Sequence, residues 1–138
     1  MKVLRNGLIA ALPMLAMSGC ITLEQGLQQV QQATAPAPVT QSLAQICQDV
    51  KANKVRANET YRNKTLSVSG KVEMINQGMQ PRYRVYMSNG AVEIFAGTDN
   101  TSQVSALSVG KTTQVTGVIT LVDQDYRACS VTLKNSTF

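Results

Sequence analysis

Thr65-Leu-Ser-Val-Ser-Gly-Lys-Val-Glu-Met-Ile75, followed by Asn76, Gln77 and Gly78, is the stretch whose reading decides the fold. Leu66, Val68, Gly70, Val72 and Met74 alternate there with Ser67, Ser69, Lys71, Glu73 and Ile75. A period of two puts successive side chains on opposite faces of an extended chain, so one long strand is predicted, with the first set turned to a core. Gly70 is the expected bend or bulge inside it, and Asn76 to Gly78 the turn that ends it.

The same period continues downstream. Tyr83, Val85 and Met87 alternate with Arg82, Arg84 and Tyr86, and Ser88-Asn89-Gly90 is a hairpin signal leading into a third strand, Ala91 to Ala96. These three strands form a meander. Gly97 to Ser108 is polar, with Val104 and Leu107 spaced like one helical turn. Thr112 to Val122 reads as a fourth strand, and a turn at Asp123 to Asp125 leads into a fifth, Tyr126 to Lys134. Upstream, Leu43, Ile46, Cys47 and Val50 recur at the helical period, with Ser42 as N-cap and Gln45 placed for a capping box. That amphipathic helix is expected to end near Ala57 or Asn58 and to pack its apolar stripe on the strands.

The start of the chain has a different character. Lys2 and Arg5 precede a short apolar run from Leu8 to Met17, interrupted by Pro13. This is signal-peptide architecture, and the run is too short to span a bilayer, which takes about 20 residues. Met17-Ser18-Gly19-Cys20 then resembles the bacterial lipobox, in which small residues precede a cysteine that is lipidated and becomes the new N-terminus. Residues 1–19 are therefore expected to be removed and Cys20 to carry the acyl (palmitate-type) anchor. An ordinary cleaved signal with Cys20 as a structural thiol is the alternative. Ile21 after the cysteine, where Asp would be an inner-membrane sorting mark, leans towards the outer membrane, facing the periplasm. Residues 20–41 are rich in Gln, Ala and Pro and read as a tether, long enough to hold the domain about 25 Å from the membrane. The domain is expected at 42–138.

Composition narrows the function. The 138-residue chain carries a formal charge of +5, of which Lys2 and Arg5 belong to the leader, so the mature chain keeps only a mild +3. That is no nucleic-acid-sized excess. With no His in the sequence, the commonest general base and the commonest imidazole metal ligand are missing. The acidic residues are scattered, apart from Asp123 and Asp125 in one turn, where turn formation explains them better than a cation. No nucleophile elbow, phosphate loop or dinucleotide fingerprint is present. Hence no catalytic residues, no metal and no cofactor are expected.

Five strands, an insertion between the third and fourth, and a glycine within a long first strand suit a mainly β, five-stranded OB-fold Greek-key barrel with an N-terminal amphipathic helix. Asn58, Glu59, Tyr61, Lys64, Leu66, Val68, Gly70 and Val72, then Leu107, Gly110, Val115 and Gly117, and finally Cys129, Val131 and Leu133, carry a more specific likeness. In that order the chain resembles the tRNA-anticodon-like OB-fold family of small bacterial exported proteins and lipoproteins, over about residues 43 to 135. The resemblance implies a fold and brings no catalytic residues with it.

Lipidation of Cys20 leaves Cys47 and Cys129 in an oxidising compartment, and they are predicted to pair. Cys47 lies on the buried stripe of the helix and Cys129 shares parity with Val131 and Leu133, so a bridge would clamp helix to barrel. Two buried free thiols, or a redox pair, are the alternatives; the redox pair lacks a CxxC spacing.

The outward faces of the first three strands should carry Lys71, Glu73, Arg82, Arg84, Tyr86, Glu93 and Phe95, on the surface where OB folds commonly bind ligands. Lys71, Arg82, Arg84, Tyr86 and Phe95 are the candidate binding residues. An envelope protein or glycan partner is the leading reading; single-stranded nucleic acid or a small ligand is the alternative, and the extracytoplasmic anchor speaks against nucleic acid. A structural component of an envelope complex is a further class. A solvated face of cross-strand ion pairs with no ligand would use the same residues.

Overall fold

In the computed structural model, residues 35–138 are described, and they form a barrel preceded by two helices. In chain order these are α1 (Leu43–Ala52), α2 (Lys54–Tyr61), β1 (Thr65–Gln77), β2 (Tyr83–Asn89), β3 (Val92–Thr98), α3 (Thr101–Ser105), β4 (Thr112–Gln124) and β5 (Cys129–Thr137). The barrel closes in the order β1-β2-β3-β5-β4, with β4 returning to β1. Of these strand pairings only β3–β5 is parallel. This is the strand order of an OB fold, and closure leaves no long free edge. Among the described residues no helix is long and apolar enough to cross a membrane.

The helical segment is two helices rather than one. Asn53 adopts an extended conformation (φ −163°, ψ 100°), ends α1, and caps α2 by accepting from the Arg56 N–H at 3.0 Å. Asn competes with the helix for its own backbone, so it breaks a helix that the apolar period alone would run straight through. The second helix then continues to Tyr61, past the expected end at Ala57 or Asn58. Ser42 caps α1 through the Gln45 N–H at 3.2 Å, but the Gln45 carboxamide turns forward to Asp49 at 2.8 Å instead of back to close a capping box.

Asn58 docks α2 on the barrel. Its carboxamide accepts from the Val122 N–H at 3.0 Å and donates to the Val122 carbonyl at 2.8 Å, as a neighbouring strand would. Beside it Tyr61, 1% exposed, donates its hydroxyl to Asp49 of α1. Burial, reinforced by the Asp49 carboxylate, pushes the Tyr61 hydroxyl up to about 12. A disulfide joins Cys47 of α1 to Cys129 at the start of β5, 82 residues apart, the pairing that the sequence predicts. Ile46, Val50 and Ala57 bring the apolar face of the helices to Leu66, Val72, Val85, Ile94, Ile119, Val131 and Leu133 of the strands in one core.

Three strands break their period of two, and each break is a correction to the simple alternation. In β1 the irregularity lies between Val72 and Met74, not at Gly70. Beyond it Ile75 packs on the core while Met74 faces outward, 45% exposed, the reverse of the predicted parity. Gly70 instead lets two strands approach closely, since a Cβ there would stand 3.1 Å from the Ser88 carbonyl oxygen. In β4 a second irregularity between Ile119 and Leu121 keeps both Ile119 and Val122 inside and turns Leu121 out, 42% exposed. In β5 the third lies between Lys134 and Thr137, around Asn135 with its φ of 51°, and leaves Leu133 and Ser136 both buried.

Boundaries also move: β1 runs on to Gln77, into the expected turn, β3 spans Val92–Thr98, and β5 continues past Lys134 to Thr137. The fifth strand starts at Cys129 rather than Tyr126, because the Asp125 carboxylate gathers the N–H groups of Arg127 (2.6 Å) and Ala128 (3.0 Å) into a turn. The last part of the expected 20–41 tether is docked: Thr65 donates its N–H to the Ala37 carbonyl at 2.9 Å, and the Val39 N–H reaches the Thr65 carbonyl at 2.8 Å.

Candidate ligand-binding cleft

The register of the barrel lines up outward side chains in rows across the strands. Met74 neighbours Tyr86, Tyr86 neighbours Phe95, Phe95 neighbours Thr132, and Thr132 neighbours Leu121. This row is largely apolar, and it exists because the irregularities in β1 and β4 turn Met74 and Leu121 outward. At its centre the Tyr86 and Phe95 rings meet edge to face, centroids 5.3 Å apart and planes at 82°. One row below, Ser88, Glu93, Ser130 and Asp123 are neighbours across the same strands, with Lys71 next to Ser88. That row is acidic. Glu73, beside it, is held below the usual carboxylate range, first by the Ser88 hydroxyl at 2.7 Å and then by Lys71.

One row above, Arg84 on β2 lies beside Gly97 on β3. The pairing of β3 with β5 ends at Ala96 and Leu133, just before the bend at Asn135, so the two strands part there. A cleft of about 490 Å³ opens at that place, lined by Pro81, Arg84, Tyr86, Phe95, Thr132 and Lys134 among others. Pro81, from the β1–β2 loop, lies over Gly97, where a Cβ would come within 2.7 Å of its ring. A glycine is required for that approach. The Arg84 guanidinium reaches back to the Gln80 carbonyl at 3.4 Å. Among the described residues neither Arg84 nor Lys134 forms an ion pair; the two pairs are Lys54 with Asp123 at 2.6 Å and Lys71 with Glu73 at 3.3 Å. Asp99 at the rim accepts from the Arg82 N–H at 2.7 Å. The cleft thus has an aromatic floor, a proline wall and two cations at its flanks.

Of the five residues proposed from the sequence, Arg84, Tyr86 and Phe95 come together in this cleft. Lys71 and Arg82 do not. Lys71 is turned to Glu73 in the lower row, and Arg82 stands over the Tyr83 ring at 5.8 Å from its centroid. Both face outward as alternation predicts, but the register pairs Lys71 with Ser88, below the aromatic floor, and Arg82 lies just before β2 begins. Lys134, Thr132, Pro81 and Gly97 were missed. The barrel order was the available signal for Lys134 and Thr132, since an OB topology sets β5 beside β3. Cys20 lies outside the described residues.

Other polar clusters are occupied by structural contacts. Asp123 is drawn below its usual range chiefly by Lys54, and Asp125 by the N–H groups of its own turn. Among the described residues no three His, Cys, Asp or Glu side chains gather as metal ligands. A second, shallow hollow lies on α2 between Lys54, Asn58 and Arg62, but Asn58 there is committed to Val122 and Lys54 to Asp123.

Known proteins share this architecture. A Klebsiella pneumoniae protein, to which the role of a nucleic acid-binding lipoprotein is ascribed, superposes with a TM-score of 0.51 at 23% identity, over 78% of this chain and 94% of its own. At that identity the likeness speaks for the fold. A replication protein A heterotrimer bound to single-stranded DNA gives a TM-score of 0.35 at 13% identity, over 53% of this chain and 55% of the other, too slight to bear on either fold or function. No curated protein matches the chain. The pattern of the tRNA_anti-like family matches residues 1–134, nearly the whole length, and with the barrel order it leads to one conclusion: the chain belongs to the tRNA_anti-like family.

Proposed function

We propose that this protein is a lipid-anchored binding module of the bacterial cell envelope, cut before Cys20, held at the outer membrane, and facing the periplasm. Its OB domain recognises a protein or glycan partner without catalysing a reaction. The observation that carries the reading is the cleft: an apolar floor with two cations has the make-up of a recognition site, a few placed polar groups on apolar surface. The Lys2 and Arg5 start, the apolar run and Ser18-Gly19-Cys20 support the anchor. The Cys47–Cys129 bond is in keeping with an oxidising compartment. A chain with no His lacks the side chain most often used for acid–base chemistry near neutral pH.

Nucleic-acid binding is the second reading, favoured by the role ascribed to the Klebsiella pneumoniae relative. The mild charge of the mature chain, and Glu93 in the row below the aromatic floor, oppose it. Two measurements test the proposal. Intact-mass analysis of the membrane fraction should find acylated Cys20 as the first residue, and Cys20→Ala should move the protein out of that fraction; an unprocessed N-terminus refutes the anchor. A photo-cross-linker at Thr132, beside Phe95, should capture one dominant envelope partner, and one at Glu59 on α2 should not. Equal capture from both positions refutes the cleft as the binding surface.

A further inference from the structure

The make-up of the cleft also bears on what it holds, and the inference drawn from it rests on the binding-module reading. We infer that it takes a short polypeptide segment in a polyproline-type conformation, with two carboxylates three positions apart and apolar residues between them.

The spacing comes from the barrel. Arg84 on β2 and Lys134 on β5 stand on either side of β3: two inter-strand distances, roughly 10 Å, separate β2 from β5 where the strands are still paired, and the long Arg84 and Lys134 side chains span what the parting of β3 and β5 adds beyond Leu133. In a polyproline-type helix every third side chain returns to the same side, about 9 Å along the axis. Carboxylates at such positions meet one cation each. The residues between them project towards the neighbouring row, where Tyr86 and Phe95 form an apolar floor bounded by Pro81. Aromatic-lined grooves suit polyproline-type segments because such segments have little conformational freedom left to lose.

Charge and shape argue against a nucleic acid. Two cations with no ion-pair partner among the described residues flank the cleft, Glu93 lies in the next row down, and Asp99 stands at the rim, so a phosphodiester chain would find two partners and then repulsion. The Tyr86 and Phe95 rings stand at 82° to one another, so bases stacked on them in succession would have to turn sharply from one ring to the next. An acidic glycan could set its carboxylates on the same two cations, and the test below separates it from a peptide.

The test is fluorescence anisotropy on the purified mature chain with a labelled synthetic peptide in which two aspartates, three positions apart, enclose a proline and a leucine. Saturable binding is expected, weakened at least tenfold by Arg84→Gln or Lys134→Gln and unchanged by Arg62→Gln on α2. The asparagine form of the peptide should not saturate. Oligothymidylate should gain nothing from added length, its salt dependence no steeper than the two-phosphate slope of about −1.4. Equal binding of the asparagine peptide, tighter binding of oligogalacturonate, or oligothymidylate affinity that climbs with length would each overturn the inference. Should the Thr132 cross-link be lost in Arg84→Gln while the acidic peptide fails to compete with it, the cleft is the binding surface and the ligand class is wrong. Loss of neither signal removes both.

Discussion

Replacing Asn58 by alanine tests how α2 is fastened to the barrel. The Asn58 carboxamide makes two hydrogen bonds to the backbone of Val122, at 2.8 and 3.0 Å, and a third to the Lys54 carbonyl at 2.9 Å. Each bond between neutral groups contributes about 1 kcal/mol net, and a buried backbone group left without a partner costs about 1–3 kcal/mol. Val122 is buried but Asn58 is only half-buried, so water can partly replace the amide. The expected loss is therefore about 2–4 kcal/mol, which for a domain of this size lowers Tm by roughly 10–20 °C. Asn58→Asp is the sharper variant. Its carboxylate can still accept from the Val122 N–H but must face the Val122 carbonyl with a negative charge. It should be no more stable than the alanine variant at pH 7. Its carboxyl is raised in the folded state, because only the protonated form can donate to that carbonyl; stability should return as pH falls and be lost as pH rises through the raised value. Denaturant unfolding followed by circular dichroism at pH 7 and pH 4 measures both. A loss below about 0.5 kcal/mol for alanine, or an aspartate variant equal to the native chain at pH 7, refutes the assignment.

Reducing the Cys47–Cys129 bond, or replacing both cysteines by serine, should cost about 4.5 kcal/mol in the chain-entropy model for a loop of this length, seen as a lower denaturant midpoint; an unchanged midpoint would show that the bond adds nothing. Tyr61 predicts behaviour in alkali: with its folded pKa raised to about 12 from 10.0, its share of stability is complete below pH 10 and is lost as pH rises towards 12, and Tyr61→Phe should flatten that limb of the profile. Asp49 predicts the acid limb. Its carboxyl is held below 3.8, first by the Tyr61 hydroxyl and then by Gln45, so its share is present above that value and lost as pH falls through the lowered one; Asp49→Asn should remove this part of the acid dependence.

The order of elements could be read from the chain because each rests on local patterns. Alternation from Thr65 to Met87 marks strands whatever they pair with, since a half-buried strand must show one face to a core. The helical stripe of Leu43, Ile46, Cys47 and Val50 follows from the same need at a different period. The parity of Cys129 with Val131 and Leu133 placed it inside, and with Cys47 on the helix stripe and an export signal that leaves two thiols in an oxidising compartment, the bridge could be anticipated. Arg84, Tyr86 and Phe95 were legible as outward residues for the same reason.

Other features depended on contacts distant in sequence. Val72 and Ile75, Ile119 and Val122, and Leu133 and Ser136 sit three apart and yet all face inward, or pack against the interior, because a closed barrel needs irregularities where its strands bend. A strict period of two had no place for them, so Met74 was put inside and Ile75 outside. Asn53 broke the helix by a cap that the apolar stripe does not register. The cleft itself arises where β3 and β5, with all of α3 and β4 between them in the chain, part company beyond Ala96 and Leu133, and where Pro81 comes down on Gly97. Side-chain direction is a local property of the backbone and is written residue by residue; which outward residues become neighbours is set by strand order and register, and those are decided only when the barrel closes.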